Sequence, residues 1–272
     1  MGIEPPFHPS LWWRDVVFGA GERRCWMPAP DCVDILPSQV AGLDIADLLR
    51  WTLASGNCSG NGHMDVEGSI ANELFGGGFT TITESFRWAI NLLAASPDVQ
   101  ERARRELAEV CGDRPLRLTD RSNIPYNEAV HLEIFRYSSL TALGLPHSTM
   151  EDTTLRGYFI PKGTTIFSNY FAHHYNPQYF PDPDSFKPDR FLTADGKLDT
   201  DKAQLVVPFG VGKRRCVGEN LARQELSLFV GRLLQQFEIH EDPCNPVNIR
   251  DVLPGLNRGP IQTPLIFNKI VL

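Results

Sequence analysis

Residues 208–226 read "PFGVGKRRCVGENLARQEL", and no other stretch limits this chain's options as strongly. Three glycines and three consecutive cations surround Cys216, and an apolar stripe then runs through Leu221, Leu226, Phe229, Val230, Leu233, Leu234 and Phe237. That spacing predicts a helix over 218–237. A cysteine just ahead of a helix N-terminus meets unsatisfied N–H groups and the positive end of the dipole, both of which favour an anion. Lys213, Arg214 and Arg215 strengthen the field, and the glycines let backbone rather than side chains crowd the sulfur. A thiolate so placed is a nucleophile or a soft-metal ligand; the competing reading is an inert buried thiol. A nucleophile also needs a base, and the sequence places none nearby.

Other function classes drop out. With a net charge of −7 over 272 residues, a nucleic-acid binder is not the default. No HExxH or His-x3-His occurs, and the adjacent His173 and His174 face different ways, which argues against a zinc hydrolase. In "FGVGKRRCVG" the phosphate-loop pattern fails because Arg214 stands where Ser or Thr is needed, and GxGxxG fails at Arg215. The six cysteines (Cys25, Cys32, Cys58, Cys111, Cys216 and Cys244) form no CxxC pair, which fits a reducing compartment. No stretch approaches the ~18–20 apolar residues of a membrane span, and the first residues form neither a signal peptide nor a myristoylation site. The expectation is a chain without a span of its own.

Along the chain, residues 1 to about 40 lack periodicity and read as irregular, and 44–53 as a short helix followed by a loop to His63. Residues 66–95 read as one long helix ended by Ser96-Pro97, although Gly76, Gly77 and Gly78 each cost about 1 kcal/mol and could split it in two. The alternative is that these glycines let something flat approach the backbone, with Thr80 and Thr81 presenting hydroxyls to it. Ser96 as N-cap and Pro97 at the first position start a second helix striped by Val99, Ala103, Leu107 and Val110 and stopped by Gly112. A third runs over 126–137 and carries Glu133 and Arg136 three residues apart among Leu132, Ile134 and Phe135, which favours a buried pair. Arg190 is a candidate third member. "TTLRGYFIPKGTTIFSNYF" reads as a hairpin about Pro161, Lys162 and Gly163, and "NPQYFPDPDSFKPDRF" as irregular. The tail carries short strands. The class is mainly α with small β-sheets.

Four of these stretches form a set. "FGVGKRRCVG" matches F-x-x-G-x-R-x-C-x-G at Phe209, Gly212, Arg214, Cys216 and Gly218; "EIFR" matches E-x-x-R; "FKPDRF" and "GGFTTI" accompany them in order. The chain thereby resembles the cytochrome P450 superfamily of heme-thiolate monooxygenases, and is similar to its animal microsomal, xenobiotic-oxidising and steroid 17α-hydroxylase branches. The resemblance runs from about residue 44 to the end and corresponds to the C-terminal half of that fold. It divides the chain into 1–43, an N-terminal segment without family match, and 44–272, the heme-thiolate core.

The resemblance implies heme b, with Cys216 as the thiolate ligand of its iron. It implies Arg214 and His147 on the propionates, Phe209 packed near the thiolate, and Gly77 and Gly78 opening the long helix to the porphyrin. Phe79 would face the substrate, and Glu133, Arg136 and Arg190 would form a structural network. Thr81 falls at the oxygen-activating alcohol, with Thr80 where the family usually carries an acid. The implied reaction inserts one atom of O2 into an apolar small molecule, with NADPH acting only through a diflavin reductase that the basic patch around Arg214 helps to dock. The implied location is the cytoplasmic face of the endoplasmic reticulum. The alternative is a non-catalytic fragment that binds heme weakly or not at all.

Overall fold

The structure, a computed structural model, describes residues 66–253 and 255–270. The expectations for residues 1–40, 44–53 and the loop to His63 lie outside the described residues.

The first element is the long helix α1 (Val66–Ala94, 29 residues). It is continuous through Gly76, Gly77 and Gly78, so the glycines do not split it. Packing explains why: its C-terminal part buries Trp88, Ala89, Leu92 and Leu93 completely, and that burial holds the helix. Phe75 and Phe79 lie at its exposed part, their rings stacked at 5.9 Å.

Helix α2 (Pro97–Cys111) starts with proline as expected. Ser96 stands at the N-cap, but its hydroxyl accepts no capping bond. The buried stripe is Val99, Ala103, Leu107 and Cys111, with Val110 only partly buried. Gln100 fastens this helix to the later strand β5 (Phe237–Glu241): its amide donates to the carbonyls of Leu93 and Ile239 and accepts the Ile239 N–H. After a 3-10 turn (Leu118–Asn123) comes α3 (Pro125–Ser138), buried almost end to end. A helix apolar on all sides belongs in the middle of a core. Its N-terminus is capped from twenty residues upstream by Glu106, whose carboxylate accepts the N–H groups of Tyr126 and Asn127 at 2.9 and 2.8 Å.

The strands are short and antiparallel. β1 (His147–Ser148) pairs with β4 (Thr165–Ile166), and β2 (Thr153–Leu155) with β3 (Tyr158–Ile160). The hairpin turn is therefore at Arg156-Gly157, not at Pro161, Lys162 and Gly163. Arg156 and Gly157 both take positive φ, 49° and 86°, the combination that fits the twist of a two-residue hairpin. Residues 161–163 instead turn the chain from β3 into β4.

Two short helices, α4 (Tyr170–His174) and α5 (Thr200–Gln204), flank the irregular Pro- and Asp-rich stretch, which holds only the 3-10 turn Pro188–Phe191. Helix α6 (Glu219–Gln236) then packs against α1, α2 and α3, with Leu226, Val230 and Leu234 buried. Leu221, counted in the apolar stripe, is half exposed. The tail adds β5, β6 (Val252–Leu253), β7 (Gly259–Pro260) and β8 (Leu265–Lys269), paired β5–β8 and β6–β7.

Gly144, between α3 and β1, has φ 63°, and an added Cβ would lie 2.8 Å from a Tyr170 ring carbon. Both the left-handed backbone and the contact oppose a side chain. Gly144→Ala is expected to cost about 1–3 kcal/mol in urea unfolding. A variant as stable as the parent would contradict this reading.

Candidate functional site

The loop that carries Cys216 is shaped by two left-handed glycines and a hydrogen bond. Gly210 and Gly212 have φ 76° and 74°, and the Cys216 N–H donates to the Phe209 carbonyl at 2.8 Å. Gly210 passes so close to Tyr170 that a Cβ there would lie 3.1 Å from the phenol oxygen. The thiol of Cys216 is exposed, as are Val211 and Val217 beside it at 68% and 89%. An inert, buried thiol is thus not what the chain presents. Helix α6 begins at Glu219, with Gly218 as its N-cap.

The cations of this loop divide. Arg215 reaches Glu219 at 3.1 Å, and Glu219 also accepts from Arg223 at 3.0 Å. Arg214 ends a 3-10 turn (Gly212–Arg214), exposed and without a hydrogen-bond or ionic partner among the described residues. The ring of Phe209 packs edge-on against Phe135 of α3 at 5.2 Å and lies beneath the Arg223 guanidinium at 4.9 Å. Phe209 therefore touches Cys216 through its backbone and anchors the loop through its ring.

On α1, an added Cβ at Gly76, Gly77 or Gly78 would meet nothing within 4 Å. The Thr81 hydroxyl donates back to the Gly77 carbonyl at 2.7 Å. Thr80 is exposed, and so is Phe79 at 64%. His147 lies exposed in β1, opposite Ile166.

Glu133, Arg136 and Arg190 are brought together. Glu133 and Arg136 are completely buried and joined by a two-pronged pair, Nε to Oε2 at 2.8 Å and Nη2 to Oε1 at 2.9 Å. Glu133 also accepts the Lys187 backbone N–H at 2.8 Å and Arg190 Nε at 3.1 Å. The remaining guanidinium edges go to carbonyls: Arg136 to His174 and Ser185, Arg190 to Pro181, Asp182 and Ser185. One carboxylate and two guanidiniums thus hold the irregular 174–190 stretch against α3.

His174, read from the sequence only as a poor metal ligand, extends this support to the Cys216 loop. Its Nε2 accepts the Val207 N–H at 3.0 Å, so the proton sits on Nδ1, which donates to Ser139 Oγ at 2.7 Å. Burial, followed by the nearby His173 and Arg136, depresses its pKa from 6.5 to about 3. Nothing in the sequence marked Val207 as its partner, 33 positions away.

The residues fit a heme. A thiol exposed on a glycine-bent loop is a soft iron ligand, Arg214 offers a free guanidinium to a carboxylate, and three helix glycines leave α1 open to a flat group.

Comparison with known proteins agrees with this fit. The sequence model of the Cytochrome P450 family matches residues 63–265. Cytochrome P450 1A3 of Oncorhynchus mykiss is 46% identical over 182 residues, which is 66% of this chain and 35% of that protein. Cytochrome P450 1A1 of Rattus norvegicus is 43% identical over the same length, and Cytochrome P450 1A2 of Oryctolagus cuniculus 44% over 186 residues. This chain belongs to the cytochrome P450 family. It spans about a third of the length of these relatives (35% and 36%).

Proposed function

We propose that the chain supplies the heme-binding part of a monooxygenase that inserts one atom of O2 into an apolar small molecule, such as a steroid, a lipid or a xenobiotic. The observation that carries the reading is the exposed Cys216 thiol, held by backbone on its glycine-bent loop within a chain of this family. Bound heme supplies the chemistry of O2 activation, which a thiolate ligand promotes by donating electron density.

The chain's own residues then have separate tasks. Cys216 holds the iron. Arg214 and His147 receive the propionates. Gly77 and Gly78 keep α1 clear of the macrocycle, and Phe79 offers an apolar surface to the substrate. Phe209 fixes the loop to α3, and the buried trio of Glu133, Arg136 and Arg190 keeps that scaffold rigid. Electrons come from NADPH by way of a diflavin reductase docking near Arg214. Residues 44–272 form the heme-thiolate core and 1–43 a separate segment. The family places such proteins on the cytoplasmic face of the endoplasmic reticulum; among the described residues no helix is long and apolar enough to cross a membrane. Hemin titration of the purified chain tests the reading: saturable uptake of a single heme supports it, and no uptake overturns it.

Proton delivery is where this chain departs from its family. Thr81 has a hydroxyl but spends its proton on the Gly77 carbonyl, and Thr80 cannot act as an acid. We expect slow turnover that releases hydrogen peroxide, with Thr80→Asp raising product formed per NADPH by about tenfold. Tight coupling in the parent, or no gain in the variant, would count against the assignment.

A further inference from the structure

A cavity of about 520 Å³ lies between α3, α5, α6 and the segment leading into the Cys216 loop. That size suits a small organic ligand. Its wall includes Phe209, Gly210 and Arg215, while Cys216 itself is not part of the lining.

His131 of α3 is the unusual member of this wall. It is 5% exposed, yet neither ring nitrogen has a hydrogen-bond partner among the described residues. The nearest carboxylate, Glu128, stands 3.7 Å from Nδ1, beyond hydrogen-bond reach. Buried polar atoms are nearly always satisfied, so an imidazole orphaned at both nitrogens beside a cavity points to a ligand.

The charges around it select the ligand's chemistry. Arg121, Arg215 and Arg223 line the cavity with only Glu128 and Glu219 to match them. Arg121 is occupied by Glu128, and Arg215 and Arg223 share Glu219. Arg223 gives only its Nε, so its two Nη groups have no hydrogen-bond partner among the described residues. The surplus is one positive charge. Burial alone would raise the Glu128 carboxyl, but His131 and Arg121 beside it hold it at about 2, so it stays an anion and the count holds at neutral pH. Leu132, Phe135 and Phe209 make part of the wall apolar. A cation meets repulsion here, and a purely hydrophilic anion leaves the apolar wall uncovered.

We propose that this cavity binds an amphipathic monocarboxylate, its carboxylate received by His131 and the Nη edge of Arg223 and its apolar body against Leu132, Phe135 and Phe209. The site is separate from Cys216 and does not require heme, so its failure leaves the proposed monooxygenase role standing.

Calorimetric titration of the full chain with hydrocinnamate, and with hydrocinnamyl alcohol as its neutral counterpart, tests the proposal. The acid is expected to bind saturably and the alcohol about tenfold or more weakly. His131→Leu and Arg223→Met, which alter the site from different helices, should each weaken the acid by about tenfold, while Cys216→Ala should bind it like the parent. No saturable binding of the acid, equal binding of the alcohol, unchanged binding in a folded His131→Leu or Arg223→Met, or loss of binding in Cys216→Ala would overturn the proposal.

Discussion

Glu133→Ala is expected to lower the free energy of unfolding by about 3–5 kcal/mol, the largest effect of any single substitution considered in this molecule. The carboxylate accepts from Arg136 twice, from Arg190 and from the Lys187 backbone, and it and Arg136 are both fully buried. Removing it strands a buried guanidinium that cannot deprotonate, and the desolvation cost of that charge is then uncompensated. The same change releases the clamp on residues 174–190, which have little regular structure of their own to fall back on. Guanidinium chloride unfolding of Glu133→Ala measures the loss. The double variant Glu133→Leu/Arg136→Leu should lose less than the sum of its singles, because no charge is left alone. A loss below about 1 kcal/mol for Glu133→Ala would mean that the trio does not support the fold.

The second large effect is acid instability through His174. Its folded pKa of about 3 lies below the ordinary 6.5, so the unfolded chain binds a proton over that interval and the folded chain does not. Stability from this group is fully present above about pH 6.5 and is lost as the pH falls toward 3. Between pH 7 and pH 4 the loss is about 3 kcal/mol. The structural reason is specific: a proton on Nε2 would face the Val207 N–H, donor against donor, with no acceptor in reach. Carboxylates held below their usual range, such as Asp120 at about 2 beside Arg114, lose their contribution at lower pH still. His174→Gln separates the two groups, since its amide oxygen can take the Val207 N–H without titrating. The variant should be less stable than the parent at pH 7 but show a flatter pH dependence between 6.5 and 4. Parallel curves for parent and variant would remove His174 as the cause.

Legibility in the sequence followed the range of the interactions. The helices were readable because their apolar stripes are local, and the Glu133–Arg136 pair because its neighbours on one helix already argued for burial. Arg190 could be named only through the family pattern, since nothing local links it to a carboxylate 57 residues away. The carbonyls that complete the network, the Glu106 cap on α3 and the bond from Val207 to His174 join positions 20 to about 50 residues apart and have no periodic signature. The hairpin was misplaced for a different reason. Both "LRGY" and "IPKG" contain a glycine, and proline drew the turn to the second, whereas the fold needed two successive left-handed residues and took them at Arg156 and Gly157. Leu221 fits the helical period of α6 and is still half exposed, because period alone does not say where the partner surface ends.

Cys216 changes most between the two readings. The sequence allowed a buried thiol; the fold exposes it on a loop bent by Gly210 and Gly212, pressed on Tyr170 and fixed to α3 through Phe209. The central claim is that this sulfur, as a thiolate, holds a heme iron. The reduced, carbon-monoxide difference spectrum of the heme-loaded chain tests it most directly. The account predicts the red-shifted Soret band of a thiolate-bound heme in the parent and its loss in a heme-loaded Cys216→Ala variant. A heme-loaded parent without that band, or the same band in both proteins, would contradict it.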